Sequence, residues 1–474
     1  MSTNASPPTS CSESAAPVRV LVVKPRPPLP LIRADRLLRC EPLELEYLAT
    51  VLACHAVTLL DGVADRRSPV ALARRLRPHV VLFTAYITDI TTVLALAAQL
   101  KTLPEPPLVF VGGVHAEVLP QHFDDPAIDG VFVANQLAGI VEVIARVGRG
   151  EEFRGTAGAA FRRAGGLVSN PCPGEPVSAL PIPVRSLFAR HPAAYRYLHY
   201  RQCASVKTSF GCPGRCAFCF CRQMNGGRYT VRPLDEVLAE IEAIPEAETI
   251  LFVDDNFLVD PARLAAFCEG IAARGVRKNF IAYGTAHFIA RHPELLGRLR
   301  AAGLRGVIVG LEFTVDADLA AVGKAARGAD NEATIDLCRA LDIDLFALFI
   351  VDPRWRLAEF RALAGYLLRR RLAFATFATL TPFPGTALDD GATAGRPPRA
   401  VAWWRYDLLR PHSATALPRG LYYLWLYLLY LLPGLNPATV RDLWRRCGLL
   451  ETVRLVAQSA ITGMEFLLKA FLWR

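Results

Sequence analysis

The stretch Cys212-Pro213-Gly214-Arg215-Cys216-Ala217-Phe218-Cys219 places three thiols within eight residues. Three thiolates can hold three irons of a 4Fe–4S cluster and leave the fourth iron open, whereas such clusters ordinarily take four Cys ligands. A set of three therefore calls for a ligand from outside the protein. Zinc sites come as two separated ligand pairs, and no Cys or His pair at that spacing follows. Just upstream, the run Ala204–Phe210 predicts a short buried strand, and Gly211 breaks it directly before the first Cys. Phe218 sets an aromatic ring beside the third thiol, where it can keep water off a cluster.

At 474 residues the chain exceeds one ordinary domain and predicts two or three. Hydrophobic residues make up 52% and mean hydropathy is +0.26, enough apolar surface for large cores. The formal charge of +10 is carried mostly by Arg, with only six Lys. Its densest run is Arg369-Arg370-Arg371, so the balance reads as a solvated Arg-rich surface with no nucleic-acid partner. Twelve Cys are scattered along the chain, three of them in the triplet. An oxygen-sensitive cluster needs a reducing compartment, so a cytoplasmic setting without a disulfide framework is expected. Residues 1–17, rich in Ser, Thr and Pro, lack the basic start and apolar core of a signal peptide and read as a disordered tail.

Downstream of that tail, strand and helix signals alternate. Apolar runs at Val18–Val23, Val57–Leu60, Val80–Thr84, Leu108–Val111 and Gly130–Val133 predict strands. Helical spacing falls at Glu41–His55, Pro69–Leu76 and Thr92–Leu100. This alternation over residues 18–150 predicts a Rossmann-like, parallel α/β sheet covered on both faces, with ligands at the carboxyl ends of its strands. The loop after the fourth strand reads Gly112-Gly113-Val114-His115-Ala116-Glu117-Val118-Leu119-Pro120, and its two glycines let backbone approach a large ligand closely. Residues 151–200 carry Gly and Pro clusters and read as a wrapping linker.

Alternation resumes at 201–390. Strands are expected at Thr249–Val253, Lys278–Gly284, Val307–Leu311, Leu345–Val351 and Ala373–Leu380, with helices at Leu234–Ile244 and Glu294–Ala302. With the strand before the triplet this makes six. Polar residues stand at their carboxyl ends, where barrels of this kind place their chemistry: Asp254, Asp255 and Asn256, then Glu312, then Thr381. A helix cap is the bland alternative for Asn256. A Glu ending an apolar strand is costly to leave unpaired, and Lys324 is the candidate partner of Glu312.

With its aromatic Phe218, the triplet resembles the CxxxCxΦC signature of the radical S-adenosylmethionine (SAM) superfamily. That resemblance implies a partial (β/α)6 barrel in which Cys212, Cys216 and Cys219 ligate the cluster and SAM chelates the open iron. An electron from the cluster, supplied by a flavodoxin or ferredoxin, would release a 5′-deoxyadenosyl radical. Phe218, Asp254, Asp255, Asn256, Glu312 and Thr381 are the residues it places around SAM. The loop from Gly112 to Pro120, ahead of such a motif, resembles the cobalamin-binding class. Thr84, Ala85, Tyr86, Gly112, Gly113 and His115 would then sit beside the corrin. The Asp-x-His-x-x-Gly motif is missing, so His115 is expected to line the corrin without bonding cobalt. Cys221 reads as a buried thiol, with a catalytic role for it or for Tyr283 left open.

Residues 391–474 read as a helical apolar region. Leu421–Leu432 is an unbroken apolar and aromatic run closed by Pro433 and Gly434, too short to span a membrane. A core helix, an interfacial helix and a lid over apolar substrate all fit it. Met464–Leu472 is a second apolar stretch, carrying Lys469, and Trp403, Trp404, Trp425 and Trp473 add amphipathic surface. Phe280–Ile289, the Val307–Glu312 strand and the Trp-rich tail with Leu417-Pro418 resemble the hopanoid C-3 methylase group. This implies a radical SAM methyltransferase in which methylcobalamin delivers a methyl group to an unactivated carbon of an apolar, lipid-like or secondary metabolite, with possible peripheral membrane contact. A cobalamin-dependent cyclase of the tetrapyrrole-ring-forming type, and a non-catalytic cobalamin or cluster sensor, are the alternatives.

Overall fold

The structure, a computed structural model, describes residues 17–32, 34–133, 137–171, 178 and 180–472. Nearly all of the expected N-terminal tail, and Trp473, lie outside the described residues.

Two sheets organise the chain. The first has seven strands in the order Ala56–Asp61, Arg19–Lys24, Val80–Thr84, Leu108–Gly112, Gly130–Phe132, Ala159–Arg163 and Gly166–Ser169. Its first five strands are parallel, and the last two form an antiparallel hairpin on the edge. That hairpin corrects the expectation of a linker from residue 151. Ala159, Ala160 and Phe161 bury against Gly130–Phe132, so the sheet continues to Ser169 before the chain crosses over. Local signals set the flanking helices. Ser68 caps Pro69–Leu76 by accepting from the Ala71 N–H, with Pro at the first helical position, where its missing N–H costs nothing.

In the second sheet six parallel strands follow in sequence order: Cys203–Val206, Thr249–Phe252, Asn279–Gly284, Leu304–Glu312, Asp344–Val351 and Phe374–Thr379. Helices such as Pro261–Ala273, Gly328–Ala340 and Leu357–Arg370 cover its outside, and the resulting core is the largest in the molecule. The sheet does not close. At its far edge Tyr430 donates its hydroxyl to Phe377 O (2.7 Å) and accepts from Phe377 N (3.0 Å), which covers strand groups that would otherwise be left open to pairing.

The C-terminal region begins without regular helices. Residues 398–406 fold back onto the first sheet: Trp403 is buried there, its ring 4.6 Å from that of His122, and Arg399 pairs with Asp125. Only from Arg419 do three long helices follow, Arg419–Leu435, Pro437–Cys447 and Leu449–Leu472. The apolar run at 421–432 packs on the barrel through Tyr422, Tyr423, Leu426 and Leu429, with the Tyr422 ring 5.7 Å from Phe360. It is a core-facing helix. It also continues through Pro433 to Leu435, past the stop expected from sequence.

A buried ion network locks the two sheets together. Arg185 donates to Glu41 at 2.7 Å and to Glu240 at 2.5 Å, and it also bonds the Ser205 carbonyl at 2.6 Å. Arg232 holds the other oxygen of Glu240 at 2.6 Å. The first domain, the crossover and the barrel therefore meet at one arginine.

Candidate active site

The thiol loop leaves the first barrel strand through Gly211, whose φ of +71° and close approach to Arg228 O, where a Cβ would collide, admit only glycine. Cys212, Cys216 and Cys219 are all half-buried. The Ala217 N–H donates to Val322 O at 2.9 Å, which fixes the loop between the second and third thiols. Burial pushes the Cys212 and Cys216 thiols up, while a hydrogen bond from Cys221 holds Cys219 below its ordinary value. Among the described residues no three His, Cys, Asp or Glu side chains converge on a single point. Ligands that each take a separate iron do not need to converge, and three soft thiols fit a cluster as a donor set. Phe218 is half-buried and packs toward Phe313 and Val322.

Of the acidic turn, Asp254 has an internal task. It accepts from the Thr208 N–H (2.6 Å), the Thr208 hydroxyl (2.5 Å) and the Ser209 N–H (3.1 Å), bracing the strand end that launches the thiol loop. Asp255 Oδ2 and Asn256 Oδ1 are buried without a protein partner, which suits them to the ammonium and hydroxyl donors of SAM. Thr381 donates its hydroxyl to Thr379 O (2.8 Å) and so keeps only acceptor capacity. Glu312 sits at φ +60°, a conformation that side chains other than glycine rarely hold unless the surroundings enforce it. The enforcement comes from Lys324, whose Nζ lies 2.8 Å from Glu312 Oε1 with both side chains buried. Burial opposes the Lys324 charge, but Glu312 and then the Cys216 thiol outweigh it, and its pKa is raised.

On the first sheet, Thr84 and Ala85 are buried at a strand end, with the Thr84 hydroxyl 3.4 Å from Glu44. Gly113 has φ +98° and a Cβ there would meet Ala85 N at 2.9 Å, so glycine is required, whereas Gly112 has ordinary room. His115 is buried with Nε2 against His122 Nδ1 at 3.0 Å, and burial followed by the His122 charge pushes it down to about 3. Burial pushes His122 down to about 4. His115 is thus a neutral ring already engaged through one nitrogen. Beside it opens a cavity of 320 Å³ lined by Leu31, Ile32, Ile87, Val118, Phe220 and Phe383 among others.

Both halves line one cavity, with Tyr86, Ile87 and His115 from the first domain and Phe220 and Phe383 from the barrel side. The Tyr283 phenol is raised by burial and then by Cys40, Tyr86, Cys221 and Asp255. Tyr86 is itself pushed up to about 12, by Glu44 and then by burial. Cys221 hydrogen bonds to both Cys219 and Asp255. Sequence reasoning missed Cys40, Glu44, His122 and Trp403 here, since no local pattern marks them.

Residues 206–364 match the radical SAM superfamily and residues 30–139 match the B12 binding domain. The chain carries a B12-binding domain followed by a radical SAM domain. It therefore takes a 4Fe–4S cluster, SAM and cobalamin, and it is an enzyme. The hopanoid C-3 methylase of Methylococcus capsulatus is 27% identical over 414 residues, 84% of this chain and 77% of that protein. A methyltransferase of Pyrococcus horikoshii is 23% identical over 382 residues, 78% of this chain and 82% of that protein. In fold, the chain is similar to TsrM from Kitasatospora setae, a radical SAM methyltransferase solved with cobalamin and cluster bound. The TM-score is 0.62 at 21% identity, covering 79% of this chain and 77% of that one.

Proposed function

We propose that the protein transfers a methyl group to an unactivated carbon of an apolar metabolite. The cluster, SAM and cobalamin would supply, respectively, the electron, the radical and the methyl carrier. The observation that carries this reading is the cavity lined from both halves, by Tyr86 and His115 of the first domain and by Phe220 and Phe383 of the barrel side. A substrate held there would reach both cofactors. Both sequence relatives named above are described as methyl-transferring proteins, which supports the reaction class. The apolar lining of that cavity supports the substrate class.

Each candidate residue has a task in this scheme. Cys212, Cys216 and Cys219 would hold the cluster, and Asp255, Asn256 and Glu312 would orient SAM. Lys324 pairs with Glu312 and presents a positive group to the thiolates. Gly112 and Gly113 would let the corrin lie close to the sheet, while neutral His115 fills its edge. Phe218 excludes water from the cluster side. The test is an anaerobic assay of reconstituted protein with methyl-labelled SAM and apolar lipid extracts. Formation of 5′-deoxyadenosine together with a labelled-methyl lipid supports the reading. Cleavage of SAM with label in no apolar product, across extracts from the native host, would overturn it.

A further inference from the structure

The Leu449–Leu472 helix is built with its polarity reversed relative to an ordinary surface helix. Leu450, Val453, Val456, Ile461, Met464 and Leu468 recur every three to five residues along its outer face and are all exposed, Leu450 at 88% and Met464 at 61%. Ala457 and Ala460 fill the gaps, and no charged side chain of this helix is among its exposed residues. Its four charges are held in pairs or by backbone, with Arg454 and Glu465 at the flank of the strip. Glu451 pairs with Arg201 at 3.1 Å and Glu465 with Arg36 at 2.9 Å, while Arg454 and Lys469 each bond a backbone carbonyl of the body at 2.9 Å.

The ends of the stripe are basic. Trp444 is exposed five residues before Leu449, between exposed Arg441 and Arg445 on the same helical face. At the other end exposed Arg419 adjoins Gly420, whose Cβ position would lie 3.5 Å from the Phe471 ring. From an apolar strip flanked by arginines and a tryptophan, we infer that this face docks on the surface of an anionic phospholipid bilayer. The strip would enter the acyl boundary, with the arginines among headgroup phosphates and the indole at the interface.

Length and composition would also allow this helix to cross a membrane. Its inner face argues otherwise: the Phe466 and Tyr423 rings lie 5.9 Å apart, Gly463 sits tightly against Tyr427, and crossing would strand four charges in hydrocarbon. A second copy of the chain fits less well than lipid. A two-fold pairing of this strip would bring arginine-bearing ends together whichever way the helices ran. The helix also braces one wall of the cavity. Lys469 bonds Leu31 O at 2.9 Å and Arg410 bonds Pro30 O at 2.8 Å, so the helix and its support hold the loop from which Leu31 and Ile32 line it. A route for substrate from bilayer to cavity rests on the apolar-substrate reading; the docking itself does not.

The experiment is flotation of the reconstituted full chain with vesicles of phosphatidylcholine alone or mixed with phosphatidylglycerol, alongside sedimentation in solution. The wild type is expected to float with the mixed vesicles and several-fold less with phosphatidylcholine. Leu450→Glu/Met464→Glu/Leu468→Glu should lose flotation while keeping its cluster and cobalamin. Arg441→Glu/Arg445→Glu should keep the apolar strip but bind mixed vesicles about fivefold more weakly per arginine. A wild type that stays out of both vesicle types overturns the inference. So does a wild-type dimer that the three Glu substitutions split, which would assign the face to a second copy. SAM cleavage in solution is read separately, so failure of docking and failure of the methyl-transfer reading are distinguishable.

Discussion

The Asn225 N–H donates to Glu117 Oε1 at 2.6 Å, and this bond ties the short helix carrying His115 to the segment that follows Cys219. The corrin-facing loop and the cluster loop are thereby held in one register. Burial raises the Glu117 carboxyl, and the Asn225 bond counters it. Glu117→Ala removes the acceptor, a loss of roughly 1–3 kcal/mol, or about thirtyfold in an equilibrium at the middle of that range. Cobalamin retention should fall by about that factor while cluster content and SAM cleavage persist. Both are read on one preparation, by corrin absorbance and by 5′-deoxyadenosine yield. Equal loss of cluster and corrin would mean the bond is only structural.

Lys324→Met leaves Glu312 buried without its ammonium. Breaking a buried pair on one side costs about 3–5 kcal/mol. The expected results are a lower melting midpoint and SAM affinity reduced tenfold or more, measured by calorimetry under anaerobic conditions. Gly310→Ala should act similarly, because a Cβ there would meet Lys324 Nζ at 2.8 Å and collide with the Glu312 carboxylate.

The pair His115 and His122 gives the first domain an acid limit. Both are pushed below the ordinary imidazole value, to about 3 and about 4. The unfolded chain therefore binds protons first as pH falls. Stability is full above about 6.5, the unfolded value, and drains away between there and about 3. Wild type should lose more melting temperature from pH 7 to pH 5 than His115→Gln/His122→Gln, by a few degrees. Parallel curves for the two proteins would contradict this.

Arg185→Met leaves Glu41 and Glu240 facing each other across the domain junction without their shared counter-charge. Denaturant unfolding should show a loss on the order of 3–5 kcal/mol. A variant with unchanged stability would show that Arg232 alone holds the junction.

What the sequence disclosed follows how local each signal is. The thiol triplet, the Gly112-Gly113 turn and the strand endings at Asp255 and Glu312 are written within a few residues, and the structure places them at strand or loop ends as expected. Lys324 was legible as the partner of Glu312 because an unpaired buried carboxylate demands one. Asp254 looked the same in sequence as Asp255, yet tertiary folding turned it back onto Thr208. The Glu117–Asn225 bond and the His122–Trp403 contact join residues 108 and 281 positions apart, respectively, and nothing local announces them. For the same reason the sequence left core, interfacial and lid readings open for Leu421–Leu432, which the structure packs on the barrel core. Leu421–Leu432 shows as an unbroken run because it is packed on the barrel. The outward strip of Leu449–Leu472 is broken in sequence by Glu451, Arg454, Glu465 and Lys469, which bond to the body of the protein beside or behind it.

The most direct measurement of the central claim is the Cys216→Ala variant, purified and reconstituted anaerobically beside wild type, with iron–sulfur absorbance and 5′-deoxyadenosine formation read together. The account predicts that wild type shows both and the variant neither. SAM cleavage surviving in the variant would contradict the assignment of the three thiols to the cluster.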